Sequence, residues 1–190
     1  MFFLRMEKLT NKLSEKFFYT IIFLFAEESW KMKGIVIYDT SYGNTKKIAE
    51  TIAETLKEEE IEVDLFYVKK VKLDGKNYDF MIIGSPTKWG TMSFTMKRFM
   101  GKIKSEEWAS KPFVAFDTEL PDNIEKTETD DKDWSAAEKI SKKLADKNMK
   151  EMLPVLKAVV LEKKGPLKDG EIERTKEYTK ELVIKLKKEK

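Results

Sequence analysis

The sequence predicts an α/β protein built on a doubly wound parallel sheet with helices on both faces. Short apolar segments typical of buried strands alternate with segments whose apolar residues recur at helical spacing. The stretch Lys33–Leu56 shows the repeating unit, because the uncharged, β-branched run Gly34–Tyr38 is followed by a polar loop and then an amphipathic helix. Strand–helix repeats of this kind form parallel sheets through right-handed crossovers.

The individual elements follow from these patterns in chain order. Asn44 or Thr45 is the expected N-cap of the first helix, because both side chains can accept a hydrogen bond from a first-turn N–H. The second strand alternates apolar and polar residues at its start, as expected of an edge strand. The predicted strands are Gly34–Tyr38, Ile61–Val68, Asp79–Gly84, Pro112–Phe116 and Val155–Leu161. Four helices are predicted. The first is Lys46–Leu56, and the second has an apolar face of Met92, Met96, Phe99, Met100 and Ile103. The third passes through Ala136, Ala137, Ile140 and Leu144, and the last is Glu171–Lys188, with Ile172, Tyr178, Leu182 and Leu186 facing inward.

Composition narrows the possible chemistry. The chain of 190 residues is long enough for one domain with a substantial core, and its 37 basic and 34 acidic residues leave a net charge of only +3. This balance gives no nucleic-acid-binding signature. Cysteine and histidine are absent, which excludes disulfides, thiolate nucleophiles, histidine acid–base catalysis and nearly every zinc or iron–sulfur site. If the protein carries electrons, a non-covalent organic cofactor must do so, and we expect no metal.

Residues 1–31 do not match the pattern of the domain, which we expect to span residues 32–190. The apolar run Phe17–Ala26 is about ten residues long, whereas a membrane span takes about twenty. Basic residues precede it, as in a signal peptide, but Glu27–Trp30 is a poor cleavage site. The segment is an amphipathic helix on the domain or a membrane, a targeting segment, or the product of a start codon assigned upstream of Met32. We favour the last interpretation, and expect a cytoplasmic protein without stable membrane insertion.

The loop between the first strand and the first helix is a candidate anion site. It brings backbone N–H groups and the positive end of a helix dipole beyond the carboxyl end of a strand. Thr40, Ser41 and Thr45 add neutral hydroxyls, and Gly43 allows close approach of the backbone to a ligand. An ordinary strand-to-helix turn has a similar composition, so the residues alone are compatible with either interpretation.

The same loop resembles the phosphate loop of flavodoxins, (T/S)-x-T-G-x-T, which wraps the phosphate of FMN. The matching residues are Thr40, Ser41, Tyr42, Gly43, Asn44 and Thr45, with Tyr42 in place of the usual threonine. The resemblance covers Lys33–Leu186 and is closest to the short-chain microbial form, because Val155–Leu161 carries no insertion. It implies a five-stranded sheet of order 2-1-3-4-5 with FMN bound at the carboxyl ends of the strands.

Two further loops are expected at the same edge of the sheet. The stretch Gly84-Ser85-Pro86-Thr87, with Trp89-Gly90 after it, resembles the first flavin-flanking loop of the family, where a tryptophan commonly stacks on the isoalloxazine. The candidate site residues in this loop are Pro86, Thr87, Lys88, Trp89 and Gly90. Alternatively, Trp89 packs back over the sheet edge, and Lys88 either faces the flavin or faces water. Trp30, Trp108 and Trp134 are expected away from the flavin.

The loop after the fourth strand is expected to begin with Asp117 and Thr118, which also belong to the candidate site. It offers no aromatic residue beyond Phe116, which should belong to the strand. We therefore expect stacking on one side of the flavin or a flavin more open to a partner, with loss of FMN binding as the alternative.

Taken together, the resemblance implies an FMN-binding electron-transfer protein that has no catalytic residue of its own. The acidic loop 119–133 is the expected docking surface for a basic redox partner, although such charge runs are often simply solvated. Two alternatives stay open, since fold does not determine function. One is an FMN-dependent NAD(P)H or quinone reductase, and the other is an interaction module without cofactor.

Overall fold

The computed structural model describes residues 32–71, 73, 77–121 and 134–189. The N-terminal segment 1–31 and most of the acidic loop 119–133 lie outside these described residues. The predictions made for those two segments therefore stay predictions.

The described chain alternates between strands and helices as the sequence predicts. The strands are β1 (Lys33–Tyr38), β2 (Glu62–Tyr67), β3 (Phe80–Pro86), β4 (Pro112–Glu119), β5 (Lys150–Glu151) and β6 (Leu156–Val159). The helices are α1 (Asn44–Glu58), α2 (Phe94–Met100), α3 (Ser105–Trp108), α4 (Ala136–Ala145) and α5 (Glu171–Glu189). Among the described residues, no helix combines the length and the apolar character needed to cross a bilayer.

The strands form one parallel sheet with the predicted order. β1 lies between β2 and β3, β3 pairs with β4, and β5 and β6 both pair with the far side of β4. The predicted edge position of β2 is confirmed. Ile35, Val36 and Ile37 of β1 are all fully buried. Since successive side chains of a strand point to opposite faces, this burial confirms that both faces of the central strand are covered.

The fifth position of the sheet is shared by two short strands, so the predicted continuous strand Val155–Leu161 is wrong in its bounds. β5 pairs with the start of β4, at Pro112 and Phe113, and β6 pairs with its end, Phe116–Glu119. Pro154 lies in the interruption between the two strands. Proline has no N–H to donate to a ladder, which explains why pairing breaks there.

Helices cover both faces of the sheet, as predicted. On one face, α2, α3 and α4 pack over a core that includes Ile37, Met81, Met96 and Trp108. All five predicted apolar residues between Met92 and Ile103 are buried, although the helix itself is limited to Phe94–Met100. On the other face, α1 buries Ile48, Ile52 and Leu56 and packs against α5.

The inward face of α5 differs in part from the prediction. Leu182 and Leu186 are buried as expected, but Ile172 and Tyr178 are only partly buried. Thr175 and Thr179 are instead completely buried. Each of these two hydroxyls donates a hydrogen bond to the backbone carbonyl one turn earlier, at 2.7 and 2.8 Å. Because the polar atom is satisfied within the helix, threonine can serve as a core residue there.

β3 and β4 both extend beyond their predicted ends, and this changes the setting of the candidate site. Ser85 pairs with Asp117, and Pro86 pairs with Thr118. Asp117 and Thr118 are therefore buried strand residues, and their expected place in a loop is wrong. β4 has partners on both sides up to Thr118, and Glu119 pairs with Val159 of β6 alone. The polar character of Asp117 and Thr118 was the reason for predicting a loop there.

Candidate functional site

The carboxyl ends of the strands border a cleft of about 610 Å³. This volume lies in the range of small-molecule and cofactor sites. The cleft is lined by the loop after β1, the loop after β3, the end of β4 and the loop after β6. The predicted site residues that line it are Thr40, Ser41, Tyr42, Asn44, Thr45, Pro86, Thr87, Lys88, Trp89 and Thr118. Gly43, Gly90 and Asp117 support the cleft without lining it.

The start of α1 presents free N–H groups at the cleft. The N-cap is Gly43, with φ of 93°, so the prediction of Asn44 or Thr45 as the cap is wrong. The side chains of both residues are engaged elsewhere, since Asn44 Nδ2 donates to the Lys164 carbonyl at 3.2 Å and the Thr45 hydroxyl lies 2.7 Å from that of Thr118. Gly43 makes no side-chain cap, and its own N–H donates to the Thr40 hydroxyl oxygen at 2.9 Å. The next N–H groups of the first turn have no intrahelical acceptor and are available to an anion.

Asp39 fixes the geometry of this loop. The side chain is almost completely buried. One carboxylate oxygen accepts the backbone N–H of Thr40 at 2.9 Å, and the other accepts the hydroxyl of Ser93. Ser93 is also the N-cap of α2, where its oxygen accepts the N–H of Met96 at 3.1 Å. Asp39 thereby ties the loop after β1 to the loop after β3, a role that the sequence did not reveal.

The loop after β3 ends in a tight turn with a tryptophan at its tip. Lys88 and Thr91 exchange backbone hydrogen bonds at 2.9 and 3.1 Å. The two residues between them, Trp89 and Gly90, have φ of 52° and 68°, the positive values typical of a type I′ turn. Trp89 is 94% exposed, so it does not pack back over the sheet edge. Its stacking on a flavin stays a prediction.

Trp134 also lines the cleft, and the expectation that it lies away from the site is wrong. Its ring packs closely against the turn after β3. A Cβ added to Gly90 would lie only 2.6 Å from the Trp134 ring. Lys139 reinforces this contact, with Nζ 2.6 Å from the Gly90 carbonyl oxygen and 6.0 Å from the Trp134 ring. Trp134 directly precedes Ser135, the N-cap of α4. Its place just before that helix was the only feature of the sequence that could have indicated that Trp134 lies at the cleft. Trp108, by contrast, is fully buried in the core, as expected.

Two carboxyl groups lie at the end of β4, on the same face of the strand. Asp117 is completely buried and accepts hydrogen bonds from the Thr87 hydroxyl at 2.8 Å and the Ala137 N–H at 2.9 Å. Burial raises its pKa above the ordinary value. Glu119 is 2% exposed and lines the cleft. Burial and the neighbouring Asp117 charge raise the pKa of Glu119 to about 8.

The loop after β6 forms the remaining wall, through Glu162 and Lys163. It is held against α1 by the hydrogen bond between Asn44 and the Lys164 carbonyl. Gly165 packs so closely that an added Cβ would lie 2.8 Å from the Asn44 side chain. Sequence reasoning did not assign this loop to the site, because none of its residues belongs to a recognisable motif. Within the described residues, no group of three or more His, Cys, Asp or Glu side chains could hold a metal ion.

Sequence comparisons agree with this architecture. A flavodoxin-domain family profile matches residues 35–160. The flavodoxin of Aquifex aeolicus is 44% identical over 78 residues, which cover 40% of this chain and 42% of that protein. The flavodoxin of Maridesulfovibrio salexigens is 37% identical over 60 residues, covering 30% of this chain and 40% of that protein. The matched segments thus span less than half of these two relatives.

Structural comparisons extend over more of the chain. A flavodoxin from the domain Archaea superposes with a TM-score of 0.67 and 26% identity, covering 82% of this chain and 99% of that protein. Oxidised flavodoxin 2 from Bacillus cereus gives a TM-score of 0.62 at 21% identity, which supports the fold alone. Since the family profile matches more than half of the sequence, this chain belongs to the flavodoxin family.

Proposed function

We propose that this protein binds FMN in the cleft and transfers electrons between redox partner proteins. The observation that carries the proposal is the uncapped start of α1, which opens onto a cofactor-sized cleft beside an exposed tryptophan. FMN supplies one- or two-electron chemistry, and the protein supplies binding, orientation and electrostatics.

The residues at the start of α1 fit a phosphate group. Backbone N–H groups of the first turn and the hydroxyls of Thr40, Ser41 and Thr45 are neutral donors that a phosphate accepts. The first turn contains no acidic side chain, so no carboxylate competes with the anion. The contact between the hydroxyls of Thr45 and Thr118 holds the Thr45 side chain at the cleft before any ligand is present.

The opposite part of the cleft fits a flat aromatic ring. Trp89 and Trp134 both line it, and an indole face is a suitable surface for stacking. An almost fully exposed tryptophan at a positive φ is an unfavourable placement for the protein alone, and a bound ring would cover it. Trp134 also supplies the second aromatic residue that the loop after β4 appeared to lack.

We keep the acidic loop 119–133 as the proposed docking surface for a redox partner. Its first residue, Glu119, is buried and therefore lies in the cleft wall rather than on that surface. The rest of the acidic charge follows Leu120, outside the described residues, and would attract a basic partner.

The test begins with the visible absorption spectrum of the purified protein, followed by titration of the apoprotein with FMN and riboflavin. We expect a flavin spectrum, preference for FMN, and transfer of electrons from the reduced protein to a basic acceptor such as cytochrome c. Rapid bleaching by NADPH alone would instead support the reductase alternative. A colourless protein that ignores added FMN would support an interaction module.

A further inference from the structure

Glu119 is a buried carboxyl group at the cleft, and the function proposed above gives it no role in binding FMN. Its side chain is 2% exposed, and it lines the cleft. Neither of its carboxyl oxygens has a hydrogen-bond partner among the described residues. Buried polar groups are usually satisfied, so an unpartnered carboxyl beside a ligand cleft indicates that its partner is the ligand.

The charges around Glu119 favour its neutral form. Asp117 lies on the same face of β4, and Glu138 of α4 adds a second negative charge. Lys157 of β6 opposes them, but its Nζ already pairs with Glu138 at 3.2 Å. The other charged residues that line the cleft are Lys88, Glu162 and Lys163.

The two carboxyl groups of β4 differ in how far their surroundings stabilise the ionised form. Asp117 accepts hydrogen bonds from Thr87 and Ala137, and these donors stabilise its ionised form. Glu119 receives no such hydrogen bond from the described residues, so burial acts on it without compensation. Glu119 is therefore the carboxyl group of the two that retains a proton, and its raised pKa of about 8 agrees with this assignment.

Resting on the proposed FMN site, we propose that Glu119 in its protonated form donates a hydrogen bond to the bound flavin, so that tight binding requires this proton. A neutral carboxylic acid offers one donor and one acceptor, which complements a ring edge carrying both C=O and N–H groups. A carboxylate offers acceptors only, and it would also repel the phosphate of FMN. Flavin affinity should consequently fall as pH rises through the deprotonation of Glu119.

The experiment is a fluorescence titration of the apoprotein with FMN at fixed ionic strength between pH 7 and pH 9. The phosphate of FMN is already about nine-tenths in its dianionic form at pH 7, since its second pKa is about 6, and its titration contributes little above that pH. Loss of one required proton near pH 8 should weaken FMN binding about tenfold between pH 7 and pH 9. Glu119→Gln keeps a donor and an acceptor but cannot titrate, so it should bind FMN within about threefold of wild type at pH 7. Its affinity should not change with pH.

Two further variants make the test specific. Glu119→Leu removes the donor and should bind FMN about tenfold more weakly at pH 7, again without pH dependence. Glu177→Gln changes an exposed carboxyl of α5 that does not line the cleft, and should retain the pH dependence of wild type. Because these substitutions can also alter folding, carboxyl ¹³C NMR of the wild-type apoprotein provides an independent measurement. Glu119 should be protonated at pH 7.

The possible failures are distinguishable. Tight FMN binding with no pH dependence in wild type overturns the role of Glu119 but leaves the FMN site intact. The same holds if Glu119→Gln keeps the wild-type pH dependence, or if NMR finds Glu119 ionised at pH 7. Absence of FMN binding by wild type at pH 7 overturns both the proposed function and this inference.

Discussion

At the scale of single residues, the hydroxyl of Thr45 tests the phosphate site. Thr45→Val keeps the shape of the side chain but removes one donor, and should cost FMN binding about 1.5–3 kcal/mol. Riboflavin has the same ring and no phosphate, so its affinity should not change. The measurement is titration of both apoproteins with both flavins at fixed salt.

Thr51→Val provides a matched control for this substitution. Thr51 is also a buried threonine of α1, but its hydroxyl donates to the Lys47 carbonyl at 2.9 Å and it does not line the cleft. The Thr51→Val variant should have a lower free energy of unfolding than wild type and the same affinity for FMN. Equal affinity of the wild-type protein for FMN and riboflavin would falsify the phosphate-loop assignment.

Gly43 tests the backbone conformation at the start of α1. Its φ of 93° disfavours any residue with a Cβ, although an added Cβ would meet no atom within 4 Å. Gly43→Ala should therefore lower the free energy of unfolding by about 1–2 kcal/mol, and Gly43→Val should also weaken FMN binding. Urea unfolding and FMN titration measure the two effects.

Gly101 is the appropriate control for Gly43. It lies at the end of α2 with φ of −67°, and its added Cβ would come no closer than 3.5 Å to another atom. Gly101→Ala should be neutral or stabilising by about 0.4–1 kcal/mol. Equal losses of stability at the two positions would show that the left-handed conformation of Gly43 is unimportant.

Trp89 tests the stacking surface. Trp89→Ala should weaken FMN binding by about 1–3 kcal/mol, by analogy with base–aromatic stacking, and binding should quench the tryptophan fluorescence of wild type. Stability should hardly change, because the side chain is almost fully exposed. Phe94→Ala, at another exposed aromatic residue, should leave FMN affinity unchanged. Equal loss of affinity in these two variants would remove the stacking assignment.

At the scale of secondary-structure elements, the extension of β4 links stability to pH. The raised pKa of Glu119 means that the folded state holds a proton that the unfolded state releases above about pH 4.5. The contribution of Glu119 to stability is therefore fully present at low pH, and it declines as pH rises from about 4.5 through about 8. Wild type should lose at least about 1 kcal/mol more than Glu119→Gln between pH 5 and pH 9.

Urea unfolding of both proteins at a series of pH values measures this difference. Glu138→Gln, which changes a partly exposed carboxyl of α4, should keep most of the wild-type decline. Parallel pH curves for wild type and Glu119→Gln would show that Glu119 is ionised throughout, and the buried-acid interpretation of β4 would fail.

Some parts of the strands and helices could be predicted from sequence patterns, and others could not. The apolar faces of α1 and α2 and the buried run of β1 were predictable, because periodic burial leaves a periodic sequence. The end of β4 was not predictable, because its last three residues are polar and only pairing makes them strand residues. Asp117 and Thr118 pair with both β3 and β6, and Glu119 pairs with β6. The split at Pro154 is a similar case, since proline ends pairing only where a neighbouring strand is present.

At the scale of the whole molecule, residues 1–31 are expected to contribute little to the stability of the domain. A protein starting at Met32 should fold cooperatively with a free energy of unfolding within about 1 kcal/mol of that of the full chain. The expectation follows from the mismatch between residues 1–31 and the alternating pattern that begins at Lys33. Comparison of urea unfolding for the two proteins measures it. Aggregation or loss of cooperativity in the shorter protein would show that the segment stabilises the domain.

The amino-acid sequence was sufficient to predict the order of the elements, the parallel sheet and the resemblance of Thr40–Thr45 to a phosphate loop. These features are local, since hydrophobic period, turn residues and a short motif are all read within one segment of chain. Only the tertiary structure placed Trp134 against Gly90, Glu119 in the cleft wall and the loop after β6 against Asn44. Each of these contacts joins residues distant in the chain, and it exists because parallel strands bring their carboxyl ends to one edge of the sheet. The burial that leaves Glu119 without a hydrogen-bond partner among the described residues is likewise a product of packing.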